Sequence, residues 1–205
     1  MKHFWISLSL FAITFAPDAS AQGAAPVAPT EIQVGNALPG SFFATPEGHG
    51  PFPVIIILGG SSGDDGDARR LAPRLVAEGY AVFGLTYYSP AWYGRAAKFP
   101  ELPSAFRDIP VERAAMAKQW LCARKDVNCG AIGIYGVSKG AEFALLAGSL
   151  IDGFAAIAAI VPSDVVWEGW GPGTSPGESS SFSWGGKGPL ALCETGRELA
   201  QPGIP

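Results

Sequence analysis

The chain has 205 residues, 48% of them hydrophobic and 16% charged, which excludes a disordered tail and leaves room for one domain with a real core. A net charge of -4, with 14 Lys and Arg scattered rather than clustered, excludes a nucleic-acid face and a polybasic membrane patch. Chemistry on a small molecule is the expectation that remains.

At the N-terminus, Lys2 precedes an apolar run from Phe4 to Ala16, and Ala19-Ser20-Ala21 precedes Gln22. That layout predicts a secretory signal peptide over residues 1–21, cleaved near Ala21, and an exported protein, periplasmic or secreted. The apolar run is shorter than the roughly 20 residues a membrane-spanning helix needs, so no stable membrane anchor is expected.

Residues 22–37, rich in Ala, Pro and Gly, read as a leader. Ser41 to Ala44 predicts a strand ending in a turn that carries His49, and Val54 to Leu58 is a continuous apolar run of the kind buried on both faces of a parallel sheet. Gly59-Gly60-Ser61-Ser62-Gly63 follows directly. Leu71 to Glu78 predicts a helix with Pro73 near its start and a stop at Gly79, and Tyr80 to Leu85 predicts the next strand. Asp64-Asp65-Gly66-Asp67 lacks the Glu that would close a calcium loop, so it reads as a solvated turn with Asp67 as helix cap, and no metal or cofactor is expected. After an aromatic and Pro-rich stretch from Ser89 to Arg107, Asp108 and Pro110 open a helix whose Val111, Ala114, Ala117 and Leu121 share one face.

The densest signal is Ile132 to Phe143: a short apolar strand, the corner Gly136-Val137-Ser138-Lys139-Gly140, and a helix running to about Ser149. That is the context of a nucleophile elbow, with Gly136 and Gly140 letting strand and helix approach. Ala155 to Val161 predicts a further strand, residues 172–188 are rich in Gly, Ser and Pro, and residues 191–205 carry no strand period. Strand and helix alternate throughout, which predicts a doubly wound α/β sheet.

Acyl transfer needs a nucleophile, oxyanion donors and a base. Ser138 is the candidate nucleophile. The backbone N–H of Lys139, with that of Gly60 or Ser61, supplies the candidate oxyanion hole. The Lys139 side chain is expected along the helix surface rather than as a base. The histidines are His3 and His49, and none follows Ser138. Asp164, just past the last predicted strand, lies at the correct sheet end to orient a base but reads first as a solvated or capping carboxylate. Aromatics from Tyr87 to Tyr93, with Trp167, Trp170 and Trp184, either line an apolar acyl pocket or belong to the core. Cys122 and Cys129, across a short charged turn, either pair or stand as separate buried side chains, and Cys193 is given no role.

Asp108-Ile-Pro-Val-Glu112, Ile132 to Glu142, Val161-Pro-Ser-Asp-Val-Val-Trp-Glu-Gly169 and Ser181-Phe-Ser-Trp-Gly-Gly-Lys-Gly-Pro-Leu190 together resemble the C-terminal catalytic domain of acyl-CoA thioesterases and bile acid-CoA:amino acid N-acyltransferases. The resemblance implies an α/β-hydrolase fold over residues 38–187, mostly parallel and lacking its last strands, with an unmatched tail at 188–205. In that family the nucleophile is Ser in the thioesterases and Cys in the conjugating enzymes, so Ser138 implies hydrolysis of an acyl-enzyme by water. The family places its triad Asp and His after strands that would follow Lys187. The expectation is therefore a C-terminally truncated serine hydrolase of impaired activity, whose Ala155 to Val161 strand forms an exposed edge. Its substrate is expected to be a small-molecule thioester or carboxylic ester, since export separates it from coenzyme A thioesters. The alternatives are a non-catalytic binding protein on the same fold and a dienelactone-hydrolase-like esterase.

Overall fold

In the computed structural model, which describes residues 30–90, 98–175 and 177–186, eight strands and three helices follow one another. They are β1 (Thr30–Gln33), β2 (Phe42–Thr45), β3 (Phe52–Leu58), α1 (Gly66–Ala77), β4 (Ala81–Gly84), β5 (Ile109–Pro110), α2 (Glu112–Cys122), β6 (Val127–Val137), α3 (Lys139–Leu150), β7 (Ala156–Ile160) and β8 (Phe182–Ser183). Six strands form one sheet in the order β1-β2-β4-β3-β6-β7, antiparallel at β1-β2 and β2-β4 and parallel across the remaining pairs. β5 and β8 form a separate parallel pair, Ile109 beside Phe182.

The apolar run of β3 explains the layering. Side chains alternate across a strand, so Val54, Ile56 and Leu58 face one side of the sheet and Ile57 the other. The first side is the larger core, closed by Ala114, Ala117 and Leu121 of α2 and by Phe143, Ala144 and Ala147 of α3. Ala68 and Ala72 of α1 cover part of the second, over Phe42, Ala44, Ile57 and Val82. This is the doubly wound, mostly parallel sheet that the alternation predicts.

Several boundaries differ from those read in the sequence. β1 lies in the segment taken as a leader and pairs Ile32 with Phe43, a long-range partner that no local period announces. Helix α1 begins at Gly66, five residues before Leu71, so Pro73 sits inside it rather than near its start. Asp67 is not the cap. Asp65 occupies that position without a side-chain cap bond, while Asp67 stands in the first turn and pairs with Arg70 at 3.0 Å. The Gly- and Ser-rich stretch contains β8, whose Phe182 is fully buried. The signal-peptide expectation for residues 1–21 lies outside the described residues.

The cysteine question is resolved: Cys122 and Cys129 form a disulfide with a Cα–Cα distance of 4.9 Å, tying the end of α2 to the start of β6. Beside it Arg124 pairs with Asp126 at 2.7 Å, and its guanidinium lies over the rings of Phe43 and Trp120. The turn between them, charged in sequence, is thereby fastened to the core.

Candidate active site

Ser138 sits between β6 and α3 with φ 52° and ψ -120°, a conformation that a residue with a Cβ adopts only when its surroundings impose it. The surroundings here are two bare backbones. A Cβ on Gly136 would lie 2.0 Å from the carbonyl oxygen of Gly140, and a Cβ on Gly140 would lie 2.2 Å from that of Gly59. Only glycine at both positions lets the strand turn into the helix this tightly. The Ser138 N–H donates to Ile160 O at 2.9 Å, anchoring the bend to β7, and Ser138 O accepts the first helical bonds from Ala141 and Glu142. The serine itself is exposed.

The loop after β3 arrives at the same place. β3 and β6 are parallel neighbours with Leu58 beside Gly136, so Gly59 and Gly60 emerge next to the elbow, and a Cβ on Gly60 would lie 3.6 Å from Ser138 Cβ. Among the described residues, the Gly60, Ser61 and Lys139 N–H groups donate to no protein acceptor. Lys139 begins α3, where first-turn N–H groups have no intrahelical partner and the helix dipole favours negative charge. The structure thus brings Ser138, Lys139, Gly60 and Ser61 together, with Gly136 and Gly140 supporting the bend.

Lys139 sends its side chain away from this cradle. Its Nζ donates to Glu142 Oε2 at 2.7 Å and to Ser181 Oγ at 3.2 Å, and lies 5.5 Å from the Phe106 ring centroid. Glu142 is 3% exposed, and burial raises its pKa, an effect opposed by the bonds from Lys139 and from the Trp167 N–H. Ser181 Oγ in turn bonds to the Trp167 and Glu168 carbonyls, so this pair fastens the 167–181 segment to the elbow helix. The i,i+3 spacing of Lys139 and Glu142 was visible in the sequence; their burial was not.

The other candidates fall elsewhere. His49 lies in the turn before β3, at the end of the sheet opposite Ser138, about 20 Å away along a seven-residue strand. Asp164 is exposed and lines a shallow cavity of about 290 Å³ with Glu142, Leu146 and Ser149, on the flank of α3. Asp64 accepts from Ser62 Oγ and the Gly66 N–H, a self-contained turn. No group of three metal-ligating side chains occurs among the described residues. Of the aromatics proposed for a pocket, Tyr87 and Tyr88 are fully buried in the core and Trp170 stacks on Phe106 at 5.4 Å, while Trp167 is 41% exposed. Trp92 and Tyr93 lie outside the described residues.

The chain matches no protein-family model. Among curated proteins it is 34% identical over 115 residues to mouse acyl-coenzyme A thioesterase 5, covering 56% of this chain and 25% of that protein. It is 31% identical over 121 residues to human mitochondrial acyl-coenzyme A thioesterase 2, covering 59% and 23%. A rat acyl-coenzyme A amino acid N-acyltransferase 2 is 34% identical over 100 residues, covering 49% and 21%. The homologues over this stretch are thus acyl-CoA thioesterases and an acyl-CoA amino acid N-acyltransferase, and the matched region spans about a quarter of their length. Among solved structures, esterase Est22 aligns with a TM-score of 0.49 at 18% identity, covering 66% of this chain and 42% of that one. The 2,6-dihydroxy-pseudo-oxynicotine hydrolase aligns with a TM-score of 0.45 at 24% identity, covering 57% and 31%.

Proposed function

We propose that the chain is a serine hydrolase of the acyl-CoA thioesterase-like type, cleaving a small-molecule thioester or carboxylic ester through an acyl-enzyme on Ser138. The observation that carries this reading is the strained, exposed Ser138 beside the loop at Gly60, with the Lys139, Gly60 and Ser61 amides donating to no protein acceptor among the described residues. In the proposed reaction Ser138 Oγ attacks the acyl carbonyl carbon as its proton leaves, and the oxyanion is stabilised by those N–H groups. Collapse expels a thiolate or alkoxide, which takes up a proton, and water then cleaves the acyl-serine ester. Homology to thioesterases supports the thioester as the substrate bond.

No imidazole stands beside Ser138 among the described residues, so in this reading its proton passes to solvent and acylation is slow. Such a site retains the contribution of its oxyanion donors, which in serine hydrolases survives loss of the base. Export into an oxidising compartment is part of the proposal, and the Cys122–Cys129 disulfide supports it. A non-catalytic binding protein on the same fold is the competing reading, favoured by the placement of His49 at the far end of the sheet.

The test is incubation of the purified protein with a fluorophosphonate probe, p-nitrophenyl esters and acyl-CoA substrates, comparing wild type with Ser138→Ala while thermal unfolding confirms that both are folded. Covalent labelling that disappears with Ser138→Ala is the expected result. A cooperatively folded wild type that stays unlabelled favours the binding protein.

A further inference from the structure

Tyr87, the third residue after β4, is fully buried, and its hydroxyl lies 2.7 Å from Gly59 O and 2.7 Å from Gly60 O. Two consecutive carbonyls therefore converge on one phenolic O–H. In a trans peptide the C=O and the following N–H point in opposite directions. Turning the Gly59 and Gly60 carbonyls inward onto Tyr87 consequently turns the N–H groups of Gly60 and Ser61 outward, and these are the two loop amides left without a protein acceptor among the described residues.

The phenol is built to stay where it is. Its ring makes edge contacts with Phe143 of α3 at 5.0 Å and with Phe106 at 6.2 Å. Its own N–H donates to Gly63 O at 2.9 Å, and the Gly63 N–H closes a turn onto Gly60 O at 2.9 Å, so the loop is held to residue 87 at both ends. Burial, reinforced by the charge of Glu142, raises the Tyr87 pKa well above its usual 10, which keeps the hydroxyl a donor through the alkaline range.

We infer that Tyr87 is the positioning residue of the oxyanion cradle: by gathering the Gly59 and Gly60 carbonyls it presents the Gly60 and Ser61 N–H groups to the carbonyl oxygen of an acyl substrate on Ser138. This inference rests on the hydrolase reading. Tyr87 touches no reacting atom. Its contribution is realised where negative charge develops, in the tetrahedral intermediate, and not in ground-state binding.

The test compares wild type, Tyr87→Phe, Tyr87→4-aminophenylalanine, which restores a donor on the same ring, and Phe43→Leu, a core change at the other edge of the sheet. The readouts are the fluorophosphonate labelling rate at Ser138, kcat and KM on a p-nitrophenyl ester, and the melting temperature. Expected is a roughly tenfold to hundredfold fall in labelling rate and kcat for Tyr87→Phe at unchanged KM. Recovery with 4-aminophenylalanine is also expected, as is no such fall for Phe43→Leu at a comparable loss of melting temperature. Labelling of Tyr87→Phe at the wild-type rate overturns the inference while leaving the hydrolase reading intact, as does an equal fall in Phe43→Leu. A folded wild type that does not label overturns both.

Discussion

Gly136 and Gly140 are pressed together so closely that the Gly140 carbonyl oxygen occupies the space where a Gly136 side chain would begin. Gly140 is in turn hemmed by the Leu58 and Gly59 carbonyls, at 2.5 and 2.2 Å from an added Cβ. Backbone cannot move aside as a side chain tip does, so Gly140→Ala is expected to lose about 3 kcal/mol, the upper end for overpacking. Urea denaturation measures the loss, and a change below 1 kcal/mol would mean that the elbow is wider than described.

Ser138 holds φ 52° against its own Cβ, a conformation that costs on the order of 1–3 kcal/mol. Ser138→Gly relieves that strain but loses more chain entropy on folding, so a net gain of about 1 kcal/mol is expected. Ser138→Ala keeps the Cβ and is expected to leave stability within about 0.5 kcal/mol. Thermal melts of the three proteins should therefore rank glycine highest.

The Lys139–Glu142 pair is buried at 14% and 4% side-chain exposure. Removing one partner strands the other, so Glu142→Gln is expected to cost about 3 kcal/mol. Lys139→Met/Glu142→Leu is expected to recover most of that loss, and a double-variant cycle measures the coupling. The pH dependence has a definite sign. Because burial raises the folded-state pKa of Glu142, its contribution is full below its unfolded value near 4.5 and is lost as pH rises through the raised value. Relative to Glu142→Gln, the wild type should therefore lose stability as pH rises across that window. A difference that grows with pH would contradict the burial-dominated shift.

Cys122 and Cys129 close a short loop, for which chain entropy gives a stabilisation of about 2–3 kcal/mol. Cys122→Ser/Cys129→Ser is expected to lose that amount in denaturant. Alkylation followed by mass measurement should leave both residues unmodified until a reductant is added.

Where neighbours in sequence are also neighbours in space, the local structure of this chain is legible in its sequence. β3, β4, β6, α3 and β7 announce themselves through apolar runs punctuated by glycine, and the spacing of Gly136, Ser138 and Gly140 marks the tight bend between β6 and α3. What escaped depended on distant partners. Ile32 becomes a strand residue only because Phe43 lies beside it, and Phe182 looks like part of a polar linker until Ile109 supplies a ladder. Tyr87 reads as one aromatic among many, since nothing local shows that its hydroxyl will meet Gly59 and Gly60. Asp67 was taken as a cap because the helix pattern begins late. Residues 66–70, ahead of the apolar period at Leu71, are already helical, with Arg69 bonded to Asp65 at 2.7 Å and to Glu31 at 2.6 Å.

The two-residue ladder between Ile109 and Phe182 has a temporal consequence. Phe182 fills the core between Phe106 and Phe143, with ring centroids at 5.6 and 5.4 Å, yet it is made long after both. A chain that has assembled the sheet through β7 still lacks this plug, and the aromatic cluster under α3 stays open until residues 182 and 183 dock beside Ile109. Such late, distant closure slows folding and prolongs the interval in which apolar surface is open to association with other chains.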